Sequence, residues 1–160
     1  MQAEIRVREA LPADNPSIRD MLEACGLPAP AMAPQSASGY AVAESGDRLV
    51  GVAGVEIHGS HGLLRSVAIL PAWRGLCVGR RLVRDRLAWA RASGLVDVFL
   101  LTTDAAGYFE RLGFKRVGRD RVPPEVRASE EFARLCPRSA TAMMMEALLY
   151  PGERPGERPG

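Results

Sequence analysis

The sequence predicts an α+β fold built on a mixed, mostly antiparallel sheet of six to seven strands flanked by helices. Two observations predict this class. The chain between Tyr40 and Leu70 reads as short strands joined by turns, which is typical of an antiparallel meander. A basic amphipathic helix and a near-continuous apolar strand follow, and such a strand is usually covered on both faces. We therefore expect a layered domain with helices packed on the sheet.

The first half of the chain predicts a strand, a helix and three further strands. Asp14 is the predicted N-cap of the helix, whose apolar face ends before Gly26. The stretch from Ala29 to Ser38 is rich in proline and small residues and predicts a flexible loop. The predicted strands of this half are Glu4 to Glu9, Tyr40 to Glu44, Leu49 to Ile57 and Leu63 to Leu70.

The second half predicts alternating helices and strands and then a tail. The predicted helices begin at Val78, Asp104 and Pro124 and end near Gly94, Leu112 and Leu135. The predicted strands are Val96 to Leu101, Lys115 to Arg119 and Thr141 to Ala147. The folded domain is expected to span residues 1–148. Residues 149–160 repeat Pro-Gly-Glu-Arg without an apolar side chain after Pro151, so we expect a disordered tail.

Composition is that of an ordinary globular protein of one domain. The 160 residues are 47% hydrophobic and 25% charged, with a formal net charge of +2. That charge does not indicate nucleic-acid or membrane binding, and no apolar run is long enough to span a bilayer. No signal segment opens the sequence, so a cytoplasmic location is the default expectation. The three spaced cysteines, and His58 and His61 in a predicted hairpin turn, indicate no metal site.

The segment from Arg74 to Arg80 has the features of a phosphate-binding turn. A strand, a glycine-containing turn and a helix start bring free backbone N–H groups and the positive end of a helix dipole to one place. Arginines also outnumber acids six to one between Arg74 and Ala92. We expect Arg74 and at least one of Arg80, Arg81 or Arg84 to contact a polyphosphate. The lysine motif of P-loop NTPases and the glycine motif of Rossmann folds are both absent from the sequence.

This turn resembles the pyrophosphate motif R/Q-x-x-G-x-G/A of the GCN5-related N-acetyltransferases (GNATs). Cys77 stands where that family usually has a glycine, and we expect an ordinary negative φ there because a helix start tolerates a Cβ. The segment from Ala106 to Phe114 looks like the family's F-Y-E-K-L-G-F helix and turn. The resemblance covers Ile5 to Leu148 and implies a three-layer GNAT-like fold whose sheet is splayed at the cofactor site.

The resemblance also implies a function, namely acetyl-CoA-dependent N-acetylation with acetyl-CoA as co-substrate. A backbone N–H near Ala68 or Ile69 would polarise the acetyl carbonyl. The cofactor-binding residues that it implies are Val67, Ala68, Ile69, Arg74, Gly75, Leu76, Cys77, Val78, Gly79, Arg80, Phe109 and Arg111.

Three segments are similar to a narrower group, the acetyltransferases of arsenic-resistance operons and the related glutamate N-acetyltransferases. They begin at Leu64, Leu101 and Val122. This likeness implies a small amine or amino acid as acceptor. Arg65 is the candidate for its carboxylate, with Arg127 as a second one, since guanidinium groups bind carboxylates in pairs of hydrogen bonds. Thr102 and Thr103 end a buried strand and are candidates for contact with acceptor or pantetheine, or for ordinary strand termination.

The catalytic candidates are Arg65, Tyr108 and Glu56. The family's usual tyrosine and acid positions hold Phe109 and Leu63 here, so the general acid and base are not indicated by the family's pattern. Direct attack by a bound amine needs mainly positioning and polarisation of the thioester. In this hypothesis Arg65 orients the acceptor, and solvent or Glu56 through a water accepts the amine proton.

Two other functions stay open at this point. The missing tyrosine and acid favour a CoA-binding sensor or interaction module without catalysis. A protein acetyltransferase would need an open acidic groove, against which Arg65 argues. Metalloid binding by Cys77 and Cys136 has no supporting spacing. We expect no nucleic-acid or membrane partner, and a homodimer is one expected assembly; the acceptor's identity is not indicated.

Overall fold

The computed structural model describes residues 4–27, 39–129, 132–133 and 139–146, and seven strands of these residues form one mixed sheet. The strand order is β1-β2-β3-β4-β5-β7-β6. The strands are β1 (Arg6–Glu9), β2 (Tyr40–Ser45), β3 (Arg48–His58), β4 (His61–Ile69), β5 (Asp97–Thr102), β6 (Lys115–Val117) and β7 (Thr141–Glu146). The α-helices of the described residues are α1 (Asn15–Ala24), α2 (Val78–Ala92), α3 (Ala106–Arg111) and α4 (Pro124–Arg127). The predicted α+β class is confirmed.

The chain divides into two compact units. The first unit comprises Met1–Glu56 and Leu64–Leu87, and the second comprises Ile57–Leu63 and Ala88–Gly160. The loop predicted from Ala29 to Ser38 and the tail predicted from residue 149 lie outside the described residues. The single-domain boundary at residue 148 therefore stays a prediction.

The first unit packs a helix on each face of its strands. Because side chains alternate across a strand, Tyr40 and Val42 of β2 face one way, and Ala41 and Ala43 face the other. Tyr40 and Val42 share a buried cluster with Ile18 and Leu22 of α1. Ala41 and Ala43 share a second cluster with the first turns of α2, through Val78 and Leu82. Strands β1 and β2, and β2 and β3, pair in antiparallel register.

The N-terminus of α1 differs from the prediction. Asp14 has helical backbone angles and makes no side-chain cap to α1. Its carboxylate instead accepts a hydrogen bond from the Leu11 backbone N–H at 2.7 Å and a bidentate pair from Arg8 at 2.8 and 3.1 Å. A charged partner on the neighbouring strand competes for the carboxylate that a cap would use. Asp14 therefore ties the start of α1 to β1.

The second unit is built around β5, whose side chains are mostly buried. β5 pairs in parallel with His61–Leu63 of β4 and antiparallel with β7, and β7 pairs antiparallel with β6. Phe99, Leu63 and Met144 lie in one buried cluster with Val122 and Val126. At the β6 side, Lys115 Nζ donates to Glu146 Oε2 at 2.9 Å across the β6–β7 pair.

The helix predicted from Pro124 to Leu135 is interrupted at Ala128 and Ser129, and the described residues 132–133 beyond them are again helical, with the Ala133 N–H bonded to the Ser129 carbonyl at 2.9 Å. α4 covers Pro124–Arg127, and its last hydrogen bonds are donated by the backbone N–H groups of Ala128 and Ser129. Residues 130–131 and 134–138 of the predicted segment lie outside the described residues. Two consecutive prolines fix the start of α4 at its first turn, where a missing N–H is tolerated.

Candidate active site

The turn between β4 and α2 has the geometry of an anion-binding loop. After Ile69 the chain makes a short 3-10 turn at Pro71–Trp73 and then takes left-handed backbone twice, at Gly75 (φ 80°) and Cys77 (φ 64°). Nothing lies within 4 Å of the position that a Cβ on Gly75 would occupy. The glycine is thus needed for its conformation and not for lack of space.

Cys77 corrects one sequence-based prediction. We expected a negative φ at this position, and the structure has +64°. A residue with a Cβ pays roughly 1–2 kcal/mol for left-handed backbone. The loop must reverse between Gly75 and the helix, and this requirement outweighs the local cost. The thiol of Cys77 is exposed and forms no disulfide.

The start of α2 provides the donors that an anion would meet. The first intrahelical bond after the loop runs from the Arg81 N–H to the Cys77 carbonyl at 3.1 Å. The N–H groups of Val78, Gly79 and Arg80 therefore belong to the first turn, which a helix cannot satisfy by itself. No acidic residue lies in that turn. The positive end of the helix dipole adds to these donors.

Exposed arginines surround this helix start. Arg74 Nε donates to the Ile69 carbonyl at 3.0 Å, which fixes the side chain by one nitrogen and leaves the two Nη groups to face a ligand. Arg81 Nη1 donates to the Ile5 carbonyl at 3.0 Å. Arg80 and Arg84 are exposed on the same helix. Donors, positive charge and a loop free of Cβ at Gly75 fit a pyrophosphate, so the residues present suit CoA.

Ser66 gives β4 an irregular backbone. Its φ is 59°, in the middle of a strand whose residues otherwise have negative φ. Leu64 and Arg65 before it are buried, and Ser66 and Val67 are both half-buried, so the usual alternation of faces is interrupted. A left-handed residue rotates the peptide groups on either side of it. The sequence carries no signal for this feature, which directly precedes Val67, Ala68 and Ile69.

Arg65 and Glu56 form an ion pair in the first unit. Arg65 Nη1 donates to Glu56 Oε2 at 2.7 Å, and Arg65 Nε lies 3.4 Å from Ser66 Oγ. The Arg65 side chain is 1% exposed and the Glu56 side chain is 32% exposed. Two of the three catalytic candidates are therefore in contact. The acceptor role of Arg65 stays a prediction, and its guanidinium is already engaged by a carboxylate of the chain.

The second unit holds the remaining candidates. Thr102 ends β5 and its hydroxyl oxygen accepts the Ala105 N–H at 3.0 Å, which stabilises the turn into α3. Thr103 is exposed. Tyr108 is half-buried and packs edge-on against buried Phe109, with ring centroids 5.2 Å apart. Arg111 lies exposed in the last turn of α3, and Arg127 is exposed at the end of α4.

His61 forms a contact that the sequence analysis missed. Its Nδ1 lies 2.6 Å from Asp97 Oδ1 and its Nε2 lies 3.7 Å from Glu125 Oε2. The ring also packs edge-on to Phe99 at 6.1 Å between centroids. The partners are 36 and 64 residues away in sequence; the parallel β4–β5 register places Asp97 opposite His61, and no local pattern indicates Glu125 on α4. Among the described residues no cluster of three or more His, Cys, Asp or Glu has metal-binding geometry.

Comparisons with known proteins identify similar chains. A family model described as an acetyltransferase (GNAT) domain matches residues 36–116. A curated protein of Chlorobaculum tepidum, named Uncharacterized N-acetyltransferase CT2212, is 33% identical over 63 residues, which are 39% of this chain and 40% of that protein. In the described part of the chain no helix is long and apolar enough to cross a membrane.

Solved structures that share the fold include two complexes with coenzyme A. N-acetylglutamate synthase from Neisseria gonorrhoeae, complexed with coenzyme A and N-acetyl-glutamate, has a TM-score of 0.77 at 21% identity over 92% of this chain and 36% of that chain. Rv2747 from Mycobacterium tuberculosis, in complex with CoA, has a TM-score of 0.75 at 25% identity over 88% of this chain and 98% of that chain. This chain thus spans less than two thirds of the curated relative and of the synthase.

Proposed function

This chain belongs to the GNAT acetyltransferase family, and we propose that it is an acetyl-CoA-dependent N-acetyltransferase of a small amino-acid-like acceptor. The observation that carries the proposal is the loop from Arg74 to Val78, with left-handed backbone at Gly75 and Cys77 and a 15-residue basic helix behind it. The Mycobacterium tuberculosis structure with CoA, which matches over nearly its whole length, supports the same cofactor.

The first unit would hold the cofactor by its phosphates and by the backbone of β4. The Nη groups of Arg74 and the first-turn amides of α2 would bind the pyrophosphate. Backbone N–H groups of Val67 to Ile69, redirected by Ser66, would hold the pantetheine and polarise the acetyl carbonyl. When bound, acetyl-CoA supplies the thioester carbon that the acceptor amine attacks as the carbon–sulfur bond breaks. We propose direct transfer, since positioning and polarisation supply most of what this attack needs.

The acceptor class rests on the likeness to glutamate and arsenic-operon acetyltransferases. The synthase of similar fold was crystallised with N-acetyl-glutamate, which is an acetylated amino acid. Thr102 and Thr103 at the end of β5 are the acceptor or pantetheine contacts in this proposal. Tyr108, half-buried beside Phe109 on α3 and one residue before the family's usual tyrosine position, is a catalytic candidate in this proposal.

The test is acetyl-CoA turnover, measured as free thiol release, across a panel of free amino acids and glutamate analogues. Acceptor-dependent release supports the enzyme. In Arg74→Ala, the KM for acetyl-CoA should rise about tenfold or more, because a hydrogen bond to a charged group contributes about 1.5–3 kcal/mol. Arg19→Ala, an exposed arginine on α1, is the matched control and should leave this KM unchanged.

A second candidate is a CoA-binding sensor without catalysis. It is favoured by Leu63, which is fully buried at the family's usual acid position, and by Phe109, which is buried at its tyrosine position. Tight acetyl-CoA binding by calorimetry with no thiol release on any acceptor would support the sensor and contradict the enzyme. Thiol release that requires an acceptor would exclude it.

A further inference from the structure

The ion pair between Arg65 and Glu56 is asymmetric in its exposure. The cation is 1% exposed and the carboxylate is 32% exposed, while Nη1 and Oε2 are 2.7 Å apart. A ligand that approaches from solvent therefore meets the carboxylate first. A carboxylate attracts an ammonium group and repels another carboxylate, so this pair is suited to the amine end of an acceptor.

Arg65 is also fixed on a second side. Its Nε faces Ser66 Oγ at 3.4 Å, on the one β4 residue with left-handed backbone. Guanidinium donors lie in one plane, so contacts at both Nε and Nη1 define the orientation of the group. A buried arginine held in this way is placed to orient Glu56. The long Glu56 side chain would otherwise sample several rotamers, and the ion pair holds it in one of them.

We propose that Glu56 faces the acceptor amine, and that Arg65 is a positioning residue for Glu56 and does not bind the acceptor's carboxylate. This inference rests on the proposed function and revises the role that the sequence suggested for Arg65. Glu56 Oε accepts one proton from the acceptor ammonium, whose nitrogen then holds the lone pair for attack. The proton leaves to solvent from the exposed carboxylate. Recognition of the acceptor thus lies at its amine.

The experiment compares two acceptor probes in wild type and variants. One probe is the amino acid with the highest turnover in the panel, and the other is its α-carboxamide, which keeps the amine and lacks the carboxylate. In Arg65→Met, kcat/KM should fall by the same factor for both probes, and by tenfold or more. A loss confined to the amino acid would mean that Arg65 binds the carboxylate directly, and would overturn the inference.

A double-variant cycle tests whether the two residues act as one. Glu56→Gln should lower kcat for both probes, and adding Arg65→Met should cost at most about twofold more because the pair is already broken. Arg65→Lys should recover part of the lost kcat, since it restores a cation beside Glu56. Multiplied losses in the double variant, or no recovery by lysine, would overturn the inference.

Arg86 is the matched control for burial. Its side chain is 3% exposed and its Nη2 lies 2.8 Å from Asp85, which is 37% exposed, so the pair has similar burial and a similar distance in the same unit. Arg86→Met should lower thermal stability as Arg65→Met does and keep kcat within about twofold. An equal loss of kcat in Arg86→Met would mean that the loss in Arg65→Met comes from destabilisation of the fold, and it would overturn the inference. If Arg65→Met does not fold, Arg65→Lys and Glu56→Gln carry the comparison of probes.

The outcome also separates this inference from the proposed function. Wild-type protein that binds acetyl-CoA and acetylates no probe overturns the proposed function, and the inference falls with it. Wild-type turnover with a carboxylate-specific loss in Arg65→Met overturns only the inference. Turnover of both probes with equal losses supports both.

Discussion

Ser66 and Cys77 are the two residues other than glycine with positive φ in the described chain. Both lie in the first unit, within the segment that we assign to the cofactor. Left-handed backbone at a residue with a Cβ persists where the surrounding structure holds it, and such positions cluster at binding sites. The left-handed backbone at these two residues lowers the free energy of unfolding, and the surrounding loop and strand must hold both residues in place against that cost.

Cys77→Gly should stabilise the protein. Glycine adopts φ near +64° without the Cβ penalty, so the free energy of unfolding should rise by up to about 1 kcal/mol after the added entropy of the unfolded chain is subtracted. For a chain of this length that gain raises the Tm by about 2–4 °C. Differential scanning calorimetry measures it.

Two cysteine controls accompany that substitution. Cys77→Ala keeps a Cβ in the same conformation and should leave the Tm nearly unchanged. Cys25 has φ −91° at the end of α1, so Cys25→Gly should lower the Tm. A lower Tm in Cys77→Gly would mean that the thiol itself contributes to packing.

At the scale of single elements, the Arg8–Asp14 pair holds the start of α1 to the sheet. The guanidinium of Arg8 and the Leu11 N–H lower the pKa of the Asp14 carboxyl below its usual range. A group with a lowered pKa stabilises the fold above its unfolded value of about 3.9, and that stability is lost as the pH falls through the folded value.

Asp14→Asn should therefore reduce stability by about 1 kcal/mol at pH 7, as expected of a partly exposed bidentate ion pair. Below the folded-state pKa the variant and the wild type should converge, because the carboxylate is then protonated in both states of the wild type. Urea unfolding across the acid range measures the difference. Asp20→Asn, on the exposed side of α1, should shift stability by less than about 0.5 kcal/mol at every pH.

Gly51 lets β3 and α2 approach closely. A Cβ on Gly51 would lie 2.9 Å from Ile69 Cδ1, 2.9 Å from Leu82 Cδ1 and 3.3 Å from Val78 Cγ1. Gly51→Ala should cost about 1–3 kcal/mol by overpacking this cluster, measured by chemical denaturation. Gly107→Ala on α3 is the control, since its Cβ would meet only Arg111 at 3.8 Å and alanine favours a helix. If Gly51→Ala leaves the free energy of unfolding unchanged, the first turns of α2 can shift to make room for the added Cβ.

For the whole molecule, the element order could be predicted from the sequence because each strand and helix has its own apolar period. The strands β2 to β5 and the helix α2 lie within a few residues of their predicted bounds. The position of β7 between β5 and β6 has no local signal, since strand order depends on contacts across the chain. Long-range pairs such as His61–Asp97 were not predictable for the same reason.

The sequence indicates some features of the candidate site and not others. The turn from Arg74 to Gly79 has a spacing of arginine and glycine that the sequence displays, and its phosphate contacts stay a prediction. The φ of Cys77 was predicted wrongly, because residue type alone does not report the backbone conformation that a loop imposes. The roles of all the candidate catalytic, cofactor-binding and acceptor-binding residues stay predictions.

The charge distribution predicts how binding depends on salt. In the proposed function the exposed arginines around the start of α2 attract the phosphates of acetyl-CoA through solvent, and salt screens such charges. The Kd for acetyl-CoA should rise several-fold between about 0.05 M and about 0.5 M NaCl. Arg80→Gln combined with Arg84→Gln should weaken this dependence. Equal affinity at both salt concentrations would mean that the arginines play no part.

Lys115 is the only lysine in the sequence, and its ammonium group is bound to Glu146 at the β6–β7 pair. Acetyl-CoA reacts with side-chain amines, and lysine is the residue whose side chain carries one. The protein therefore offers its own cofactor one side-chain amine for accidental acetylation. After prolonged incubation with acetyl-CoA, a mass gain of more than one acetyl group could not come from lysine side chains alone. The additional acetyl groups would have to be on another kind of group.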